Sequence, residues 1–78
     1  MPIYYFHICN GGVTRDEEGM ERADDVSALA YAISAARSIA AADVSEGHLT
    51  LSDRIEVEDE HHQRVATVRF DQAVAIRE

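Results

Sequence analysis

An α+β fold, one long amphipathic helix packed on a four-stranded antiparallel sheet, is what this sequence predicts. Three observations predict it. Apolar residues recur with a period of two in Ile3–Cys9, Arg54–Glu58 and Arg64–Phe70, the spacing of strands. From Val26 to Val44 they recur at three and four residues, the spacing of one helix face. Turn-forming clusters separate these stretches at Asn10-Gly11-Gly12, Asp16-Glu17-Glu18-Gly19 and Asp59–Gln63.

The first strand is rich in aromatic and β-branched residues. It places Tyr4, Phe6 and Ile8 on one face and Ile3, Tyr5, His7 and Cys9 on the other. Asn10-Gly11 is a strong hairpin signal, because both residues tolerate positive φ, and Val13–Arg15 is the short return strand. Asp24 or Asp25 caps the helix. Its apolar stripe runs Val26, Leu29, Ala30, Ile33, Ala36, Ala40 and Val44, with Leu29 and Ile33 expected at the centre of the core. Gly47 closes it, giving about 20 residues and roughly 30 Å. Arg54–Glu58 and Arg64–Phe70 form a second hairpin, and Val74 and Ile76 are expected to tuck in behind them. The order is β-β-α-β-β; pairing strand one with strand three gives the sheet order 2-1-3-4, antiparallel throughout, and the helix can then cross the face in the right-handed sense.

Seventy-eight residues make one domain, residues 1–78, with an apolar fraction of 46% that argues against disorder. Fifteen acidic residues against seven basic ones give a net charge of −8, which disfavours nucleic acids and anionic membranes. All the basic residues are Arg and none is Lys, a usage that GC-rich bacterial genomes encode. Cys9 is the only cysteine, so no disulfide forms within the chain. Neither a membrane-spanning run nor a signal-peptide pattern is present, and a cytoplasmic location is expected.

The opening Met1-Pro2-Ile3-Tyr4-Tyr5-Phe6-His7-Ile8, with Asp16-Glu17-Glu18-Gly19 and the late strand Arg54-Ile55-Glu56-Val57, resembles a family of short bacterial proteins. Its members begin M-P-x-Y-[FY]-F-[HD]-[LIV] and carry a D-x-E-G turn. The resemblance spans essentially the whole chain. The family is a domain of unknown function, so the resemblance implies no activity, cofactor or site residue. Ile3 and Cys9 stand where relatives carry polar residues, and His61-His62 where they carry Gly.

Several clusters invite a chemical reading. His61-His62 with Asp59 and Glu60 is the most metal-like, and His48 or His7 could complete it. Zinc needs three or four converging ligands, however, and a solvated hairpin tip explains the run better. Asp16, Glu17, Glu18 and Glu21 supply oxygens for a hard cation, without EF-hand spacing. Cys9 and His7 share a strand face as a thiol–imidazole pair, with no third orienting group. Tyr4, Tyr5 and Phe6 lack the basic neighbours of a base-stacking sheet. No P-loop, G-x-S-x-G, H-E-x-x-H or C-x-x-C occurs, so neither an enzymatic role nor a cofactor is expected. One helix covers one sheet face. The other would carry Ile3, Tyr5, His7, Cys9, Val65 and Thr67, apolar enough to suggest a self-associating interaction module, a homodimer. The alternative is a metal- or ligand-binding regulator using the His61-His62 loop or the Asp16–Glu21 turn.

Overall fold

The computed structural model describes residues 1–77. β1 (Ile3–Cys9) turns through Asn10–Gly12 into β2 (Val13–Thr14), and the chain then returns along the same edge of β1 as β3 (Met20–Glu21). α1 (Asp25–Ser45) crosses one face. β4 (Arg54–Glu58) and β5 (Arg64–Arg69) form the second hairpin, and a single helical turn, α2 (Phe70–Ala73), follows. The sheet runs β2-β1-β4-β5, antiparallel throughout, so the expected 2-1-3-4 order stands. β3 is an addition. Two residues of pairing are too few to show a period in the sequence.

The edge of β1 explains the loop between β2 and β3. β2 pairs with Ile8 and Cys9, and β3 with Ile3 and Tyr4, which leaves the Phe6 N–H between them without a strand partner. That N–H donates to Asp16 Oδ2 at 3.1 Å. The other oxygen, Oδ1, accepts from the N–H groups of Glu18 and Gly19 at 3.2 and 3.0 Å. One carboxylate therefore fills a gap in the ladder and folds the loop that carries it, as buried backbone donors require.

Asp24 is the N-cap of α1, its Oδ1 accepting from Ser27 N–H at 2.8 Å. Beside it the Tyr4 hydroxyl donates to Asp25 at 2.6 Å and ties the start of α1 to β1. That bond, with burial and the Asp25 charge behind it, pushes the Tyr4 hydroxyl up to about 12. Along α1 the buried residues are Ala28, Ala32, Ala36 and Ala40. Small methyl groups let the helix lie close on a sheet face already filled by Phe6, Ile55, Val57 and Val68, with Phe70 of α2 packed into the same core. Tyr31 closes one flank, edge-on to Phe6 at 4.8 Å, with the Arg22 guanidinium 5.5 Å above its ring.

This corrects the expected helix face. Of the stripe from Val26 to Val44, only Ala36 and Ala40 are buried, and Ile33 is half-buried. Val26 is 77%, Leu29 39% and Val44 58% exposed. An alanine-rich helix offers two apolar faces, and the bulk of the sheet residues selects the smaller one, because larger side chains there would overfill the core. The tail is corrected in part: Ala73 is buried and Val74 packs on the core, whereas Ile76 is 65% exposed. Arg37 Nε donates to the Ala73 carbonyl at 2.8 Å and fixes α2 against the flank of α1 opposite Tyr31.

Candidate functional site

The face of the sheet away from α1 holds the only dense cluster of titratable side chains that these strands create among the described residues. β1 contributes Ile3, Tyr5, His7 and Cys9, and the antiparallel register sets Glu58, Glu56 and Arg54 beside Tyr5, His7 and Cys9. The centre of the face is therefore charged, because β4 alternates Arg54-Glu56-Glu58 on this side and Ile55-Val57 on the other.

His7 is 3% exposed and uses both ring nitrogens. The Asp16 N–H donates to Nδ1 at 3.0 Å, so the ring proton sits on Nε2, which donates to Glu58 Oε1 at 2.8 Å. The same oxygen accepts from His62 Nδ1 at 3.4 Å. His62 stands at the tip of the second hairpin with φ 60°, and its ring stacks on Tyr5 at 4.7 Å. Tyr5 in turn lies parallel to His7 at 6.5 Å. The hydrogen bond from His7 holds the Glu58 carboxyl below its ordinary value of 4.5, against burial and with help from His62. For Asp16 burial works upward, but the N–H groups of Gly19, Phe6 and Glu18, with His7 nearby, outweigh it and leave the carboxyl below 3.8.

Farther along the face Glu56 accepts from Arg64 at 3.0 Å and from Arg54 at 3.5 Å, and the Cys9 thiol lies 3.9 Å from its other oxygen. Among the described residues every buried side-chain nitrogen and oxygen has a partner. The cluster is thus internally satisfied. His7 has no free nitrogen to offer a substrate or Cys9, so the thiol–imidazole pair is not assembled. Cys9 itself is 5% exposed. Tyr4 and Phe6 lie under α1, leaving Tyr5 as the aromatic residue of the triplet on this face.

The metal-like residues separate. Asp59 Oδ1 accepts from the N–H groups of His61 and Gln63 at 2.9 and 3.0 Å, and so builds the turn. His62 is drawn to Glu58 and Tyr5, while His61 lies 3.8 Å from Glu60. No group of three or more His, Cys, Asp or Glu among the described residues is arranged to hold a metal ion. In the acidic turn, Asp16 spends its oxygens on backbone N–H groups. Of the expected interface residues, Ile3 and Tyr5 are half-buried, His7 and Cys9 are enclosed, and Thr67 is exposed. Val65 packs on the core, because the register shift between Val57 and Glu58 breaks the alternation of β5 at this point. Sequence reading missed Glu56 and Glu58. The signal was present in the alternation of β4, whose polar half shares a face with His7.

Acid should destabilise the fold, this face included. Glu58, Asp16, Asp59 and Asp71 all ionise more readily than in an unfolded chain. Their contribution to stability is complete above the ordinary carboxyl values of 4.5 and 3.8 and is lost as pH falls through the lower folded values. The urea midpoint should accordingly fall steadily below pH 4.5, and Glu58→Gln should reduce the slope. A midpoint that stays level from pH 4.5 to about pH 2.5 would show that these bonds contribute nothing.

The architecture defines a small α+β domain with a helix on one sheet face and an ion-paired, histidine-bearing face opposite. The chain belongs to the family described as Domain of unknown function (DUF6894), whose model matches residues 3–71. Neither a curated protein nor a solved structure matches it. No helix among the described residues is long and apolar enough to cross a membrane.

Proposed function

We propose that this domain is a non-enzymatic protein-interaction module that self-associates through the outer side of α1. The observation that supports this is the exposure of Val26, Leu29 and Val44 on a 21-residue helix whose buried residues are all alanine. Large apolar side chains lined along one element and left in water mark a contact surface. The stretch Val26–Ala42 contains no Asp or Glu in a chain of net charge −8, so two copies can meet there without the repulsion that other faces impose. A second copy would also enlarge the core of a chain this short. The sheet face is a poorer contact, since ion pairs occupy its centre. A buried free thiol suits the reducing cytoplasm of a bacterium, the location we favour.

Sedimentation equilibrium tests the reading. Wild type at tens of micromolar, a range typical of modest association, should show twice the 8.6 kDa chain mass, and Leu29→Glu should return it to one. A wild-type mass of 8.6 kDa would overturn the reading.

A further inference from the structure

The loop between β2 and β3 hangs from two neighbouring residues of β1. The Asp16 N–H donates to His7 Nδ1 at 3.0 Å on the outer face of the sheet, and Asp16 Oδ2 accepts from the Phe6 N–H at 3.1 Å along its edge. The rest of the loop is folded on Oδ1 of the same carboxylate, through the N–H groups of Glu18 and Gly19. Toward α1 the loop walls a hollow of about 270 Å³, lined by Asp16, Glu18, Gly19 and Met20 on its side and by Phe6 and Tyr31 among the core residues. The loop is therefore a flap over that hollow, and the His7 ring is its catch.

We infer that His7 is a proton-operated latch: a proton gained at Nδ1 releases the Asp16 loop from β1 and opens the hollow over Phe6. Nδ1 accepts a hydrogen bond only while it carries no proton. In a doubly protonated ring it would face the Asp16 N–H donor against donor, and His7 is 3% exposed, so neither donor could turn to water. The Asp16 N–H must withdraw, and the Phe6 bond goes with it, because one residue makes both. Nε2 keeps its bond to Glu58 in either state, so the ring stays and the loop moves. The surrounding charges accommodate the proton. From β4, Glu58 touches the ring and Glu56 stands opposite His7, with Arg54 and Arg64 bonded to Glu56. From the loop, Asp16 lies near enough for the His7 charge to favour its ionised form, and Arg15 stands near Glu58. His62 shares Glu58 Oε1, and Tyr5 and Cys9 flank His7 on its own strand face. The charge in contact with the ring is a carboxylate, which favours the protonated form once the loop has left.

Magnetic resonance of the full chain between about pH 8 and about pH 5, the span in which histidine changes charge, tests the latch. At the upper end the ring nitrogen shifts of His7 should place the proton on Nε2. As Nδ1 gains its proton, the Phe6 amide should lose about tenfold in hydrogen-exchange protection, the worth of one net hydrogen bond, while the β4–β5 ladder keeps its own. His7→Asn retains an acceptor close to the place of Nδ1 but does not titrate, so Phe6 should stay protected across the whole span. His62→Asn, at an exposed position, should leave the wild-type step unchanged. A ring that stays neutral throughout, or one that protonates with no loss of protection at Phe6, overturns the inference. So does a step that persists in His7→Asn or vanishes in His62→Asn, since another group would then drive the loop. Should His7→Asn fail to fold, the wild-type and His62→Asn titrations decide alone.

Discussion

Phe70→Ala should be the most damaging truncation in the chain, costing roughly 3–5 kcal/mol. Phe70 is fully enclosed, and it is the largest of the fully buried side chains, ahead of Ile55 and Val57. Its position makes the loss harder to absorb. The Phe70 N–H donates to the Asp53 carbonyl at 2.9 Å, and its carbonyl accepts from Val74 N–H at 3.0 Å, so its backbone joins the end of the sheet to α2. A backbone held at both ends cannot collapse into the space the ring leaves, and an unfilled cavity is what raises the cost. The facing helix residues are alanines, which have no longer rotamer with which to fill it. For a domain with a total stability of about 5–15 kcal/mol, such a loss leaves a marginal protein. The melting temperature should fall by at least ~12 °C, at roughly 4–8 °C per kcal/mol for a chain of this size. Phe70→Leu, which keeps most of the volume, should cost under about 1.5 kcal/mol. A Phe70→Ala chain that melts within a few degrees of wild type would mean that the ring is not the keystone described here.

The position of Phe70 was readable in the sequence, since Ala66, Val68 and Phe70 alternate toward one face. The strand order rests on pairing strand one with strand three, not on any local signal. A cap at Asp24 or Asp25 and the Asn-Gly turn were readable too, because each rests on a backbone preference of one or two residues. The buried face of α1 was not. Periodicity finds apolar stripes, but α1 has two of them, and hydrophobicity alone favours the one with Leu29 and Ile33. Choosing the alanine stripe requires knowing that Phe6, Val57 and Phe70 already fill the space beneath, which is a tertiary fact. The same limit hid the site. His7 reads as one of four apolar-leaning residues on its strand face until the register brings Glu58 opposite its neighbour Tyr5 and the Asp16 loop over its ring. That loop is anchored by a side-chain bond across ten residues, and such a bond has no period. Where the reading failed, partners distant in sequence decided the outcome.

That loop is also where the second large effect is expected: Gly19→Ala should destabilise the domain by roughly 2–5 kcal/mol, the sum of a backbone term and a steric one. Gly19 has φ 75°, a left-handed conformation that costs an L-residue about 1–2 kcal/mol. A Cβ there would also meet Ile3 Cγ2 at 2.5 Å, the Tyr4 carbonyl oxygen at 3.1 Å and Tyr5 Cε1 at 3.1 Å. The Tyr4 carbonyl cannot move without straining the pairing of Tyr4 with Met20, and Ile3 is β-branched and itself paired with Glu21. Relief must therefore come from lifting the loop, which would pull the Gly19 N–H off Asp16 and loosen the bond from Asp16 to His7. Gly11→Ala separates the two terms. Gly11 has φ 92° but nothing within 4 Å of its added Cβ, so it should lose only the backbone part. Chemical denaturation of both variants gives the difference, which should be about 1–3 kcal/mol in favour of Gly11→Ala. Tyr5 fluorescence should change in Gly19→Ala and not in Gly11→Ala, because only the first disturbs the ring that His62 covers. Equal losses in the two variants would mean that the loop yields freely and does not hold His7 in place.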